Sequence, residues 1–228
     1  MKKLVIKITL FSLPFVLLAT LIFLVDPYEY FAYNACIPRE DKINTAPKLN
    51  YALWKLIHYK RNPVPNILLG DSRIDAFSVD DIRRVAGMEY TNLAQASTTI
   101  DEICATFWEA TETTNLKNVY IGLNLNLYNG YNARNRVEGV KDVLANPLLY
   151  LVNRNVIHAT YLLIRSQFTR IVLQKKLVFG IERPDMTKDV FWRYQLEKTA
   201  HASYAFYSRP NLAYLKLQQI SEYCRQKM

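Results

Sequence analysis

Asn66-Ile67-Leu68-Leu69-Gly70-Asp71-Ser72-Arg73 is the stretch on which the reading of this chain turns. The apolar run is short and bounded by Pro65 and Gly70, so it fits a central, fully buried parallel strand over 66–69 better than a helix. Pro63 and Pro65 force an extended entry to it. A serine that directly follows such a strand stands where open parallel sheets place their ligand crevice. There the Ser72 hydroxyl can attack an acyl carbonyl, and its own backbone N–H can help bind the oxyanion that forms. The competing reading is a turn that merely begins the next helix. The Gly-x-Ser-x-Gly elbow of the other large hydrolase fold is absent.

Downstream, Ser78-Val79-Asp80-Asp81 caps a helix expected to run to Ala86, with Gly87 placed to end it. Met88–Asn92 reads as a second strand. Thr99-Ile100-Asp101-Glu102 has the capping-box pattern, and Ile100, Ile103, Phe107 and Ala110 recur on one face of the following helix. Cys104 sits on that face as a small buried hydrophobe. Asn118–Leu123 reads as the third strand. The alternation of strand and helix over 66–123 predicts an α/β fold: a three-layer α/β/α arrangement on a parallel sheet with right-handed crossovers.

Past Tyr128 the pattern changes. Residues 139–152, 155–178 and 211–226 read as helical, and no further strand is convincing. Ile157, Tyr161, Ile164, Phe168 and Ile171 form an apolar stripe, while Arg165, Arg170, Lys175 and Lys176 on the same helix exclude a second simple membrane crossing. Such a helix packs on its own domain or lies on a membrane surface. Phe191-Trp192-Arg193-Tyr194 and Tyr204-Ala205-Phe206-Tyr207 can line a sugar-binding groove or serve as core and rim.

Upstream, Asp26–Pro65 reads as a linker with Pro27, Pro38, Pro47, Pro63 and Pro65 and a short helix over Asn50–Tyr59. Ile8–Val25 gives 18 residues without a charge, about the minimum for a membrane-spanning helix. Lys2, Lys3 and Lys7 precede it and Asp26 and Glu29 follow it, which predicts a cytoplasmic amino terminus and a body outside the cytoplasm. A cleaved signal peptide is the alternative, but Leu24-Val25-Asp26-Pro27 offers no small residues for cleavage. Tyr33-Asn34-Ala35 is likewise a poor lead-in for a lipid-bearing Cys36.

The formal charge is +9, from 13 basic and 13 acidic residues over 1–129 and 16 basic and 7 acidic over 130–228. The excess therefore lies in the last hundred residues. Outside the cytoplasm such a surface suits anionic lipid headgroups or acidic envelope polymers, or is simply solvated; it leaves no place for nucleic acid. Cys36, Cys104 and Cys224 have neither metal nor redox spacing.

Gly70-Asp71-Ser72 resembles the first motif block of the SGNH (GDSL-like) hydrolase superfamily, particularly its membrane-anchored extracytoplasmic branch linked to envelope-polymer acylation. Gly122-Leu123-Asn124 looks like the block that gives an Asn side chain to the oxyanion hole, with Asn126 a close competitor. Asn92-Leu93-Ala94-Gln95-Ala96-Ser97 occupies the place of the block whose backbone N–H completes that hole, although the usual Gly is missing. The exit Asp26-Pro27-Tyr28 is also similar to this branch, and the likeness covers roughly residues 26–126. It implies residues 1–7 inside, an anchor over 8–25, a linker over 26–65, and an SGNH-type domain over 66–228 with a helical insertion at about 128–208. By resemblance, Ser72 is the catalytic nucleophile and Asn124 an oxyanion donor. The amides of Ser72 and of the Ala94–Ser97 loop, including Ala96, supply the other donors. The implied activity is that of an esterase or acyltransferase on ester-linked acyl groups of an envelope polysaccharide, with an acyl-transfer protein as a possible partner. No metal or organic cofactor is implied.

The departure lies at the general base, which the family takes from an Asp-x-x-His near the carboxyl end. His158 follows Asn155 by three, His201 follows Lys198 by three, and His58 precedes the first strand, so none fits. A serine without a base within hydrogen-bond reach is a weak nucleophile. Two explanations stand: a chain that ends short of the catalytic segment, or a degenerate fold acting as a non-catalytic anchored binding or scaffold protein.

Overall fold

The structure is a computed structural model that describes residues 2–32, 36–124, 127, 134–169 and 213–227. The described residues are mostly helical and include a three-stranded parallel sheet. The chain divides into two compact units, Met1–His58 with Gly139–Leu177, and Tyr59–Glu138 with Val178–Met228. The second holds the sheet.

Strand β1 (Asn66–Leu69) lies between β2 (Thr91–Asn92) and β3 (Asn118–Ile121), pairing Ile67 with Thr91 and Val119. All four of its residues are buried, as the bounded apolar run predicts. Ile67 and Leu69 enter one core with Leu93, Ile100, Ile103, Phe107 and Ile220. Burial of such a side chain stabilises by about 1.5–3 kcal/mol. That core is closed by α6 (Ile100–Thr113) and α10 (Ala213–Lys227), where the Tyr223 ring meets Phe107 and Trp108 edge-on. Between β1 and β2 run α4 (Ser72–Asp75) and α5 (Val79–Ala86), the latter capped by Ser78 and ended at Gly87. The capping box of Thr99 and Glu102 opens α6 as expected.

Two strands are shorter than expected. In place of a strand over 88–92 only Thr91–Asn92 pairs with β1, because the Asn66 side chain takes the Glu89 carbonyl at 2.8 Å, and Asn118 in turn donates to Asn66 at 2.8 Å. The third strand stops at Ile121; Gly122 donates to Leu69 at 2.8 Å, and Leu123 is exposed.

In the first unit α1 (Lys2–Val25) is long and apolar enough to cross a membrane. The stretch 26–65, expected as a linker with one helix, carries two: α2 (Arg39–Leu49) and α3 (Tyr51–Arg61). The region 139–152 is split by Asn146, which caps the second of two helices, into α7 (Glu138–Ala145) and α8 (Pro147–Val152).

Helix α9 (Arg154–Thr169) corrects one sequence reading. Its buried positions are Val156, Ala159, Thr160 and Leu163, whereas Tyr161 and Phe168 of the expected apolar stripe are 57% and 85% exposed. The Thr160 hydroxyl donates to the Val156 carbonyl at 2.8 Å, so this polar residue is buried without an orphaned group. Helices α1 and α2 pack along α9. Residues 170–178 of the expected helix, the two aromatic groups at 191–194 and 204–207, His201 and Asn126 lie outside the described residues.

Candidate functional site

At the carboxyl end of β1 the backbone turns at Gly70, whose φ is 150°, directly into α4. A Cβ at Gly70 would lie 2.7 Å from Ile74 Cγ1, and one at Gly122 would lie 2.1 Å from the same atom. Both glycines are therefore required by the close approach of Ile74, the third residue of α4, to the ends of two strands.

Asp71 caps α4. Its Oδ1 accepts from the Arg73 amide at 3.0 Å, while Oδ2 accepts from Asn124 Nδ2 at 2.7 Å and faces Arg73 Nε at 3.2 Å. Ser72 is the first residue of α4 and is exposed. Its hydroxyl has no hydrogen-bond partner among the described residues. Asn124 is thus held by Asp71, the neighbour of Ser72.

The loop after β2 divides its labour differently from the expectation. Asn92 Nδ2 donates to the Ile74 carbonyl at 2.7 Å and the Phe77 carbonyl at 3.3 Å, and its Oδ1 accepts from the Ala94 amide at 3.1 Å. It is a clamp on the end of α4. The Ala94 amide, expected as an oxyanion donor, is spent on Asn92, and the Gln95 amide donates to the Gly70 carbonyl at 3.0 Å. Within the loop this leaves the amides of Ala96 and Ser97, beside a left-handed turn at Ser97 with φ 53°.

A buried ion pair that the sequence reading missed fixes this loop. Glu102 is 1% exposed and accepts from Arg136 Nε at 2.7 Å, Arg136 Nη2 at 3.0 Å and the Arg136 amide at 2.9 Å. The same Arg136 donates to the Ala96 carbonyl at 3.0 Å, and Arg134 donates to the Ser97 carbonyl at 2.8 Å. Burial alone would push the Glu102 carboxyl up, but Arg136 and the Thr99 amide outweigh it and hold the group below its ordinary value. The available signal was a glutamate beside an apolar helix face, which demands a cationic partner.

Two of the histidines, His58 and His158, fall among the described residues. His58 Nδ1 lies 2.8 Å from the Trp54 carbonyl and Nε2 lies 2.8 Å from Glu29, so both ring nitrogens are engaged within the first unit. Glu29 also pairs with Arg39 at 3.2 Å; these two partners overcome its burial and hold its carboxyl below the ordinary value. His158 is exposed. Burial pushes the Cys104 thiol up to about 11, away from nucleophilic use.

No family model, curated protein or solved structure matches the chain.

Proposed function

We propose that the chain is a membrane-anchored, SGNH-like serine esterase or acyltransferase, acting outside the cytoplasm on ester-linked acyl groups of an envelope polysaccharide. The finer fold in this reading is the three-layer α/β/α arrangement of that superfamily. One observation carries it: Ser72 is an exposed serine at the start of a helix, directly beyond the carboxyl end of the central strand of a parallel sheet. Ser72 is the nucleophile. The amides of Ser72, Ala96 and Ser97 and the side chain of Asn124, which also donates to Asp71, are its oxyanion donors in this reading.

A second reading, a non-catalytic anchored scaffold, is favoured by the commitment of His58 to Glu29 and Trp54. Labelling separates the two. With an Asp-x-x-His segment fused after Met228 to supply a base, the protein is expected to react with a serine-directed phosphonate, and Ser72→Ala to abolish labelling. An extended, folded protein that stays unlabelled would replace the enzyme by the scaffold.

The orientation follows from Lys2, Lys3 and Lys7 ahead of the span. A reporter active only outside the cytoplasm, fused after Met228, is expected to work; activity of a cytoplasmic reporter at the same place would reverse the topology.

A further inference from the structure

The first unit folds around the end of the apolar helix. In the last turn of α1, Ile22 and Val25 are 0% and 3% exposed, whereas Phe23 is 43% exposed. One face of that turn is covered by protein and the rest is open. Ile22 precedes Asp26 by four residues, so the covering protein reaches about 6 Å back along the span, at 1.5 Å per residue.

Helix α8 packs on α1 within this unit. Its Tyr150 hydroxyl donates to Asp26 at 2.9 Å, its ring stacks on Tyr30 with centroids 4.5 Å apart, and it meets Phe31 edge-on at 5.5 Å. Phe31 in turn lies 5.0 Å from Phe23 of α1. The short helix is therefore fastened to the very residues at which the chain leaves the span. Two positions either side of Tyr150, and so on the opposite face, stand Leu148 and Val152, each 69% exposed, with Leu149 also exposed and the exposed Arg154 following.

An apolar helix face beside the exit of a membrane span, next to clustered aromatic rings and a following arginine, has the composition of the membrane–water boundary. We propose that α8 is an interfacial helix: Leu148, Leu149 and Val152 enter the headgroup and upper acyl region of the membrane that α1 crosses, and Arg154 reaches lipid phosphate. The occupant of this face is lipid, since α8 packs on α1 and is fastened to the residues at which the chain leaves the span. Six residues alone hold a bilayer weakly; tethering by Tyr150 to Asp26 gives them a fixed depth. The consequence is a first unit seated on the membrane instead of swinging from a flexible stalk.

The inference rests on the reading of α1 as a membrane span, and the test separates the two. In the full chain with Cys36→Ser, Cys104→Ala and Cys224→Ala, a single cysteine is placed by Leu148→Cys, Leu17→Cys or Glu40→Cys and labelled with an environment-sensitive fluorophore. The proteins are reconstituted in phosphatidylcholine–phosphatidylglycerol vesicles carrying lipids with quenchers at known depths. The probe at 17 is expected to be quenched from deep in the bilayer, that at 148 by headgroup-proximal quenchers, and that at 40 by aqueous iodide. Quenching at 17 with an iodide-accessible 148 would overturn the interfacial helix and leave the span. A probe at 148 shielded from both lipid and iodide would mean that protein covers the face, and would also overturn it. Failure at 17 would remove the span and the inference together.

Discussion

Ile74 explains why two glycines separated by 52 residues in the chain belong to one local structure. Its side chain occupies the space where a Cβ at either Gly70 or Gly122 would sit, and the contacting atom is Cγ1, close to the backbone and unable to swing aside cheaply. Gly122→Ala is expected to destabilise the second unit by about 1–3 kcal/mol, the usual range for overpacking. Gly70→Ala should cost more, since its φ of 150° adds backbone strain to the clash. Ile74→Ala combined with Gly122→Ala should recover part of the loss, which unfolding curves in a double-mutant cycle will measure. Additive costs would show that Ile74 is not the obstacle. The motif reading took Gly70 and Gly122 as parts of a catalytic signature; the geometry gives them a packing reason that stands whether or not Ser72 reacts.

Among the elements, the loop after β2 depends on a partner 34 residues further along, Arg136 on Glu102. Removing one member of a fully buried pair costs about 3–5 kcal/mol, but Arg136 is one-third exposed, so Arg136→Met is expected to cost roughly 2–3 kcal/mol near neutral pH. The pH dependence follows from the lowered Glu102 value. A carboxyl held below its unfolded value, about 4.3 for Glu, stabilises fully above that pH and loses the contribution as pH falls through the folded value. The gap in thermal stability between the parent and Arg136→Met should therefore close as the pH is lowered below the ordinary glutamate value of about 4.3 and through the lowered Glu102 value. A gap that stays constant into acid would assign the effect to packing of the arginine stem. The capping box that starts α6 was legible because its residues are three apart, and β1 because Pro65 and Gly70 bound it. The Glu102–Arg136 pair has no period and no local signature. The buried face of α9 was misread for a related reason: Thr160 counts as polar in the sequence, yet its hydroxyl is satisfied by its own helix.

For the whole molecule, the sequence distinguished an apolar span from a polar body but placed a linker where the first unit is built. Asp26 is the reason the boundary is not loose. It is buried; its carboxylate accepts from the Tyr30 amide at 2.8 Å, the Phe31 amide at 2.9 Å and the Tyr150 hydroxyl at 2.9 Å, joining residues 124 apart in sequence. A proline-rich exit reads as an open stalk when these long-range partners are invisible. The same contacts predict where the anchor can be cut. Val25 packs with Ile37 and Leu163, and Ile22 is equally buried, so each contributes about 1.5–3 kcal/mol to the first unit as well as belonging to the span. A chain starting at Thr20 keeps both residues and Asp26, and it is expected to fold in mild detergent with a cooperative thermal transition. A chain starting at Pro27 loses all three, uncovers Ile37 and Leu163, and leaves Tyr150 without its acceptor; it should melt lower by several degrees or aggregate. The longer chain retains the more exposed apolar surface at Leu21 and Phe23, so solubility alone would favour the shorter one. If the shorter chain proves the more stable of the two by thermal unfolding, the last turn of α1 is a membrane segment only and not part of the first unit's core.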